Sequence, residues 1–378
     1  MIRIFNNLKK LEEIKTQNGT LTFWLSQRLL DDECDAFVKN SDFGHFEQTS
    51  RWAKTKKNFN WESYRILQSR DQQIIVGFQI LWKYNTAFTK LGLLKKGPII
   101  IERNPYLIRL IINFLKRTIH NNFLAAIVQP SDFDEELSSL MINSGFIPNL
   151  LCGMIKCANV LVDLNLTDEQ IFQKKKRQKR QNINAAQKAG IIIRQGKKIE
   201  IGIFFNLMKH TCLRRGVRPN PPSKETLKII WDSFYQSNQI ALFFAEYQNN
   251  IISGAMVIIL GKIAFLWKFG WSGPFSYMRP NELLFWKIFK WAKSRGYRFV
   301  DLGEFGSYQA NINITYAELE NFKNYQDLNF KLGFGGDIIK LKLGLVYFSC
   351  NLSESLYNNI LPTLIRIPII KTYVYGSL

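Results

Sequence analysis

The sequence predicts a mixed α/β protein made of two copies of one unit, each a mostly antiparallel sheet flanked by helices. Length and composition support two cores, because 378 residues with 46% hydrophobic and 14% aromatic content exceed what one core of ordinary size holds. An internal repeat indicates that the two cores are related. A basic segment near the middle of the chain marks the start of the second copy.

The repeat consists of three pairs of features that occur in the same order in both halves. A strand–turn–strand pattern comes first, a helix with a short apolar strand comes second, and a Gly-Phe pair after a helix comes third. The paired segments are Ile74–Gly77 with Ile251–Gly254, Phe123–Val128 with Tyr297–Leu302, and Gly145–Phe146 with Gly333–Phe334. A longer loop around Tyr308–Tyr316 accounts for the wider spacing in the second half. Chance similarity between two α/β halves is the alternative explanation.

Helix-start signals occur at matching places in the two halves. Asn104–Pro105 begins one helix, and Pro280–Asn281 begins its counterpart. We therefore expect residues 1–158 to form the first domain and residues 159–340 to form the second. The remaining segment, 341–378, ends in apolar residues that alternate with cations and prolines. That pattern is typical either of an edge strand packed back on the first domain or of contact with a membrane surface.

The chain carries a large positive charge that is dense at the start of the second copy. It has 51 Lys and Arg against 30 Asp and Glu, a net charge of +21, which favours binding to nucleic acid or to anionic lipid. A capping box at Thr167 and Gln170 and a stop at Gly190 predict one basic helix over residues 168–189. Its cations point in all directions around the axis, so much of the helix faces away from an apolar core. The segment is either a solvated helix or a docking surface for a polyanion.

Several protein classes find no support in the sequence. The N-terminal residues MIRIFNNLKKLEEIK carry charges where a signal peptide needs an apolar core, so we expect a cytoplasmic protein. The most apolar long run, Ile251–Trp271, contains Lys262 and Lys268 and alternates like a strand, so a membrane-spanning helix is not expected. The five cysteines form no CxxC pair and the three histidines are scattered. We therefore expect neither a metal site nor a disulfide framework.

Five short motifs occur in a fixed order between Gly44 and Gly336. They are Gln48, Trp52 and Lys56 with Asn60–Trp61; Lys95–Pro98; Arg180–Ile183 with Lys188 and Gly190; Pro280–Leu284 with Trp291–Lys293 and Asp301–Gly303; and Phe330–Lys331 with Gly333–Gly335. Together they resemble the Fem aminoacyltransferases (FemABX), a family built from two acetyltransferase-like (GNAT) domains. The resemblance implies two tandem GNAT-like domains, each a mixed and mostly antiparallel sheet flanked by helices.

The resemblance implies that an amino acid is transferred from aminoacyl-tRNA to an amine of a peptidoglycan precursor or related peptide, without a cofactor. Neither half contains the Gln/Arg-x-x-Gly-x-Gly/Ala loop with which an acetyl-CoA-dependent enzyme of this fold cradles pyrophosphate. The basic segment suits a phosphate backbone instead. The cations expected to bind tRNA are Lys174, Lys175, Lys176, Arg177, Lys179, Arg180 and Lys188.

The candidate catalytic residues lie in the second copy. Lys331 occupies the lysine position of the family's FK motif and is expected to stabilise the oxyanion or to contact the tRNA 3′ end. Phe330 lies beside it, and Asp301 ends a predicted strand, where a carboxylate is equally suited to capping the following loop. The first copy has Asn143 at the position that corresponds to Lys331. We therefore assign the chemistry to the second copy.

Acceptor binding in the family implies one lysine and one arginine as partners for the precursor's phosphates. Lys56 matches the lysine of the first motif, and either Arg214 or Arg215 matches the arginine, whose planar fork suits phosphate. Where the family has a tyrosine-rich strand, this chain has Trp267 and Phe269. The hydroxyl groups are missing there, so the acceptor can differ from the family's.

Two other functions stay open at this stage. One is a GNAT-type N-acyltransferase that uses acyl-CoA in a cell-surface polysaccharide pathway. The other is a non-catalytic protein that binds RNA or a membrane. A lipid-linked acceptor would place the protein at the inner face of the membrane, and we expect a monomer.

Overall fold

The computed structural model describes residues 8–42, 44–84, 88–131, 134–149, 155–307, 326–341 and 344–359. Within these ranges the chain divides into two compact units: the described residues of 8–157, 306–307 and 340–359 form one, and those of 158–305 and 326–339 form the other. The loop predicted around Tyr308–Tyr316 and the C-terminal stretch 360–378 lie outside the described residues.

The first unit is a mixed sheet flanked by helices. Its elements are β1 Lys9–Thr16, β2 Gly19–Ser26, α1 Asp32–Asn40, α2 Ser50–Lys57, β3 Glu62–Arg70, β4 Gln73–Tyr84, β5 Lys90–Lys95, β6 Ile99–Ile100, α3 Pro105–Asn122, β7 Ala125–Gln129, α4 Glu135–Asn143 and β8 Ile147–Pro148. Its core forms where the apolar face of α3 meets the sheet, because apolar side chains recur along one side of that helix. The helix starts as predicted, since the Asn104 side chain accepts a hydrogen bond from the Leu107 N–H at 2.8 Å.

The second unit repeats this plan. Its elements are β9 Ile155–Asp163, α5 Asp168–Gln173, α6 Arg177–Lys188, β10 Ile192–Gln195, α7 Ile201–Arg214, α8 Lys224–Tyr235, β11 Ile240–Tyr247, β12 Asn250–Leu260, β13 Ile263–Trp271, α9 Pro280–Ser294, β14 Phe299–Asp301, β15 Phe305–Ser307, α10 Gln326–Leu332 and β16 Asp337–Lys340. The chain then adds β17 Leu345–Phe348 and α11 Asn351–Asn359 to the first unit.

Each sheet combines antiparallel pairs with a parallel pair. In the described residues the first sheet has the order β1-β2-β3-β4-β5-β7-β17-β8, with β6 on β4. The second has the order β10-β11-β12-β13-β14-β9-β15, with β16 on β9. The parallel pairs are β5 with β7 and β13 with β14. In chain order a long helix connects the two strands of each pair, α3 in the first unit and α9 in the second. The predicted fold class, two mixed and mostly antiparallel sheets flanked by helices, is therefore confirmed.

The prediction of a single basic helix over residues 168–189 is wrong, because the structure has two helices there, α5 and α6. The start is as predicted, with the capping box of Thr167 and Gln170 formed at α5. The helix is interrupted at residues 174–176, where Lys176 adopts an extended backbone with φ −53° and ψ 142°. The Lys176 N–H donates to the Gly333 carbonyl at 3.0 Å instead of continuing the helical pattern. A tertiary contact thus overrides the local helix propensity of the lysines.

The described residues contain no helix that is both long enough and apolar enough to cross a membrane.

Candidate active site

The second unit contains a fork between two parallel strands. β13 and β14 pair only from Ile263 opposite Phe299 to Phe265 opposite Asp301. Beyond that point β14 ends, whereas β13 continues to Trp271. In the first unit β5 pairs with β7 from Leu91 to Lys95, the last residue of β5, so its corresponding strands do not part. The carboxyl ends of diverging parallel strands are a place where α/β proteins bind ligands.

Lys331 places its ammonium group at this fork. Its Nζ donates to the carbonyl oxygens of Gly303 at 2.8 Å and Glu304 at 3.2 Å, in the loop that follows β14. Two backbone acceptors therefore fix the position of the charge, while the side chain itself is half-buried. A cation held in this way is preorganised to interact with negative charge that develops on a substrate.

Asp301 shapes the loop that holds Lys331. The carboxylate is buried and accepts hydrogen bonds from the Gly303 N–H at 2.6 Å and from Asn159 Nδ2 at 2.5 Å. Because Gly303 in turn accepts from Lys331, Asp301 acts on the fork through the loop. The geometry is that of a loop-capping carboxylate, the alternative that the sequence left open for this position.

Aromatic side chains connect the continuing strand to the helix that bears Lys331. Phe269 of β13 packs edge-on against Phe285 of α9 with ring centroids 5.4 Å apart, and Phe285 packs edge-on against Phe330 at 5.3 Å. Trp267 is an extra residue in β13, because Leu266 pairs with Val257 and Lys268 pairs with Met256. A bulge of this kind redirects a side chain and is frequent beside active sites. The structure therefore brings Trp267, Phe269, Phe330, Lys331 and Asp301 into one region of the second unit.

Lys179 belongs to this packing and is not a surface cation. Its Nζ lies 3.6 Å from the ring centroid of Phe330 and 3.1 Å from Glu282 Oε1. The buried Glu282 also accepts from Asn182 Nδ2 at 2.9 Å. Burial lowers the pKa of Lys179, whereas Glu282 opposes that shift. Reasoning from the sequence assigned no role to Glu282, because the helix dipole favours a carboxylate in the first turn whether or not it is buried.

Lys175 also departs from its predicted role as a tRNA contact. The side chain is only 1% exposed, lies 4.2 Å from the ring centroid of Trp286 and donates to the Ile171 carbonyl at 2.9 Å. Burial lowers the pKa of its ammonium to about 7. A lysine in this position supports the packing of the helix break, and it cannot reach an RNA backbone.

The remaining cations of the basic segment divide by exposure. Arg180 is half-buried and donates to the carbonyls of Gln173 and Lys175, so it closes the C-terminal end of α5. Four cations are exposed, and we call them the basic face: Lys174, Lys176, Arg177 and Lys188. These four residues are the cations of the basic segment that remain accessible to a polyanion.

Lys56 lies in the first unit beside a tryptophan. Its Nζ is 4.9 Å from the ring centroid of Trp52 on the same helix, α2. Burial lowers the pKa of Lys56, Glu47 acts in the opposite direction, and Lys95 and Lys83 add to the lowering. Lys56 therefore has two lysines and one carboxylate within electrostatic range, and that carboxylate, Glu47, also lies 3.5 Å from Lys95 Nζ. The net positive charge would stabilise a bound anion.

Gln48 connects the first sequence motif, to which it belongs, with the second motif, which begins at Lys95. Its Nε2 donates to the Lys95 carbonyl at 2.5 Å and to the Gln79 carbonyl at 3.3 Å, and its Oε1 accepts from the Gln79 N–H at 2.8 Å. The side chain is buried, so these bonds hold the first motif against the end of β5. Gln48 therefore positions the turn and is not a substrate contact.

The two arginines proposed for acceptor binding differ in their surroundings. Arg214 stacks on the Trp271 ring at 4.3 Å and donates to the carbonyls of Trp271 at 2.7 Å and Ser272 at 2.9 Å. It thereby braces the end of β13. Arg215 is the residue after the last residue of α7, and both arginines are exposed. A phosphate that binds Arg214 would have to displace these backbone partners.

Among the described residues, no group of three or more His, Cys, Asp or Glu side chains is arranged to hold a metal ion.

Two family models match parts of the chain. Residues 29–139 match the FemAB family, and residues 173–316 match an acetyltransferase (GNAT) domain. The second match contains the fork between β13 and β14 and the basic face.

Curated relatives are lipid II:glycine glycyltransferases. The chain is 25% identical over 232 residues to one from Staphylococcus epidermidis and 24% identical over 230 residues to one from Staphylococcus aureus. These alignments cover 58% of the chain and 55% and 54% of the two relatives. The chain therefore spans about half the length of the curated relatives it matches.

Solved structures with the same fold include the crystal structure of FemX, with a TM-score of 0.72 and 17% identity over 93% of this chain and 100% of that one. A tandem GNAT protein from the clavulanic acid biosynthesis pathway has a TM-score of 0.50 and 6% identity over 87% of this chain and 99% of that one. At these identities the likeness supports the fold alone.

Proposed function

We propose that the chain, which resembles the FemAB family over residues 29–139 and a GNAT domain over residues 173–316, transfers an amino acid to an amine of a peptidoglycan precursor. The observation that carries the proposal is the ammonium of Lys331, fixed by two carbonyls where β13 and β14 part. This arrangement supplies a preorganised positive charge for acyl transfer.

The proposed reaction starts when a neutral amine of the acceptor attacks the carbonyl carbon of an aminoacyl ester. The new C–N bond forms as the carbonyl π electrons move to oxygen, and the oxyanion then collapses and expels the ribose oxygen. Lys331 stabilises that oxyanion more than it stabilises the ester, so it lowers the barrier. The proton lost by the amine goes to the departing oxygen or to solvent.

We propose aminoacyl-tRNA as the donor. The basic face of Lys174, Lys176, Arg177 and Lys188 supports this choice, because exposed cations bind a phosphate backbone without needing base contacts. The absence of a pyrophosphate-cradling glycine loop from the sequence also argues against acyl-CoA. No cofactor is needed for a donor that is already an activated ester.

We propose a phosphate-bearing, lipid II-like precursor as the acceptor. The curated relatives carry that substrate in their names, and the cluster of Lys56, Lys83 and Lys95 provides positive charge in the first unit. Arg214 and Arg215, which are both exposed, are our candidates for a second phosphate contact. Trp267 and Phe269 lie on the part of β13 beyond its pairing with β14, where the family has a tyrosine-rich strand.

The test is an in vitro transfer assay with product identification. The protein is incubated with total aminoacyl-tRNA and a panel of lipid-linked and nucleotide-linked peptidoglycan precursors, and the products are identified by mass spectrometry. We expect a precursor whose mass has increased by one aminoacyl residue. Parallel reactions contain uncharged tRNA or acetyl-CoA. Acetylated product in the last reaction, with none from aminoacyl-tRNA, would replace our proposal with the acyl-CoA function.

A further inference from the structure

The hairpin formed by β4 and β5 has large aromatic side chains at the end where β4 stops and β5 begins. Tyr84, the last residue of β4, is 58% exposed, and Phe88, just before β5, is 93% exposed. Trp82 lies two residues before Tyr84 on the same face of β4, and the two rings pack edge-on at 5.6 Å. Exposing this much aromatic surface to water at one place is unfavourable unless the surface has a partner.

Lysines accompany these rings on both faces of the hairpin. Lys90 Nζ lies 4.6 Å from the Trp82 ring centroid and 5.4 Å from that of Tyr84. Lys83 points to the other face, where its Nζ lies 4.9 Å from the Trp61 ring centroid. We call Trp82, Lys83, Tyr84, Phe88 and Lys90 the hairpin tip.

The charge of the hairpin is uniformly positive. From Asp71 to Glu102 the sequence contains four lysines and no intervening Asp or Glu. The acid placed opposite the tip on the neighbouring strand is Glu62, which pairs in register with Trp82 and lies 3.8 Å from Lys57. Its charge is therefore partly compensated, and the tip retains a positive potential.

We propose that the hairpin tip docks on the surface of an anionic lipid bilayer. Trp and Tyr favour the headgroup region because their rings are apolar and their polar atoms stay hydrated, and an exposed Phe gains by entering the acyl boundary. Lysines beside them are attracted to anionic headgroups and keep their ammonium groups in water while their stems follow the apolar surface. The tip combines all three features on one hairpin.

A lipid surface fits these contacts better than RNA does. Sequence-tolerant RNA binding relies on open aromatic faces against which bases stack. On the hairpin tip, the faces of Trp82 and Tyr84 are each approached by the Lys90 ammonium. The most exposed ring, that of Phe88, lacks a polar group to bond with a base. The role of this docking surface in the cell rests on the proposed function, because a lipid-linked acceptor is presented at a membrane.

The test is co-sedimentation with phosphatidylcholine vesicles that contain a quarter phosphatidylglycerol, beside vesicles of phosphatidylcholine alone. The aromatic variant replaces Tyr84 and Phe88 with Ser, and the charge variant replaces Lys83 and Lys90 with Gln. We expect the aromatic variant to lower partitioning about tenfold, and the charge variant to lower it roughly fivefold per lysine on the anionic vesicles. The matched control is Tyr106→Ser, since Tyr106 is 60% exposed on α3 of the same unit.

The outcomes separate this proposal from its rivals. The proposal would be overturned if the wild-type protein did not co-sediment with anionic vesicles, or if the tip variants co-sedimented to the same extent as the wild type. If the tip variants lose binding to poly(U) RNA and keep binding to vesicles, the tip is an RNA surface and the proposal is wrong. Vesicle binding requires neither donor nor acceptor, so a failed transfer assay leaves this result intact, and a failed vesicle assay leaves the proposed reaction intact.

Discussion

Replacing Lys331 with Met removes the positive charge at the fork and keeps most of the side-chain volume. An ammonium about 3 Å from a full negative charge contributes roughly 5–6 kcal/mol at an effective dielectric constant of about 20. The ester carbonyl already carries part of that charge, so only the difference between ground state and transition state affects the rate. We therefore expect turnover to fall about 10²- to 10³-fold, the range measured when one oxyanion donor is deleted.

The substitution also has a structural cost that must be measured separately. The carbonyls of Gly303 and Glu304 lose the partner that holds them at 2.8 and 3.2 Å. An unsatisfied carbonyl costs about 1–3 kcal/mol when it is buried and less when water replaces the donor. A thermal unfolding curve therefore accompanies the assay, which is run well below the midpoint of the variant.

The assay is a single-turnover reaction in which enzyme, preloaded with aminoacyl-tRNA, is mixed with excess acceptor. Lys287→Met is the matched control, because Lys287 is exposed on α9 of the same unit, and it should react as wild type does. Lys331→Arg should recover little, since a planar guanidinium does not place its donors where an ammonium does. Transfer by folded Lys331→Met at the wild-type rate would show that the ammonium takes no part in the chemistry.

Three further predictions follow from the contacts of the basic segment and of α7. Lys175 binds protons less readily in the folded state, with a pKa of about 7 against ~10.4 when unfolded, so the free energy of unfolding should rise between pH 7 and 10 by up to ~1.4 kcal/mol per pH unit. Lys175→Met should remove this component in urea titrations at several pH values, and identical pH slopes for the two proteins would contradict it. Arg214→Ala should lower the unfolding midpoint because it removes the bonds to the carbonyls of Trp271 and Ser272, and replacing whichever arginine contacts the acceptor phosphate should raise the acceptor KM; an unchanged midpoint for Arg214→Ala in thermal melts would contradict its bracing role. Changing all four residues of the basic face to Gln should reduce the slope of log affinity for tRNA against log salt by about 0.7 to 0.9 for each phosphate that is no longer neutralised, and an unaltered slope would make that face a solvated surface.

The elements that the sequence predicted well are those fixed by local interactions. The start of α3 depends on Asn104 and Pro105 alone, and the capping box at Thr167 requires only Gln170, three residues later. Such contacts are formed within one turn, so the sequence around them contains the whole signal. The family motifs likewise singled out Lys331 from its neighbours, and its catalytic role stays a prediction.

The features that the sequence could not predict depend on distant contacts. Nothing around Lys175 distinguishes it from Lys174 or Lys176, and yet it is the one buried under Trp286. The fork exists because pairing stops at Phe265, which depends on where β14 ends in space. A lysine has the same helix propensity whether it faces water or a ring, so only the tertiary fold decides between these fates.

The basic segment and the FK-x-GFG motif form one packing unit in the second domain. Gly333 lies so close to α6 that a Cβ would come within 2.8 Å of Lys179 Cγ, and its carbonyl accepts from the Lys176 N–H. Gly335 has φ +79° and lies against the Lys174 carbonyl, where a side chain would clash. These two glycines allow the turn after Lys331 to dock into the break between α5 and α6.

This docking changes how substitutions in the basic segment must be interpreted. Lys179 contacts Phe330, which precedes Lys331 on α10, and Glu282 holds Lys179 in place. Removing Lys179 thus leaves a buried carboxylate without its cation and withdraws support from the helix that carries the proposed catalytic group. A loss of activity in such a variant would reflect the placement of Lys331 and would say nothing about RNA. Only the residues of the basic face, whose side chains point to solvent, can report on the binding of a polyanion.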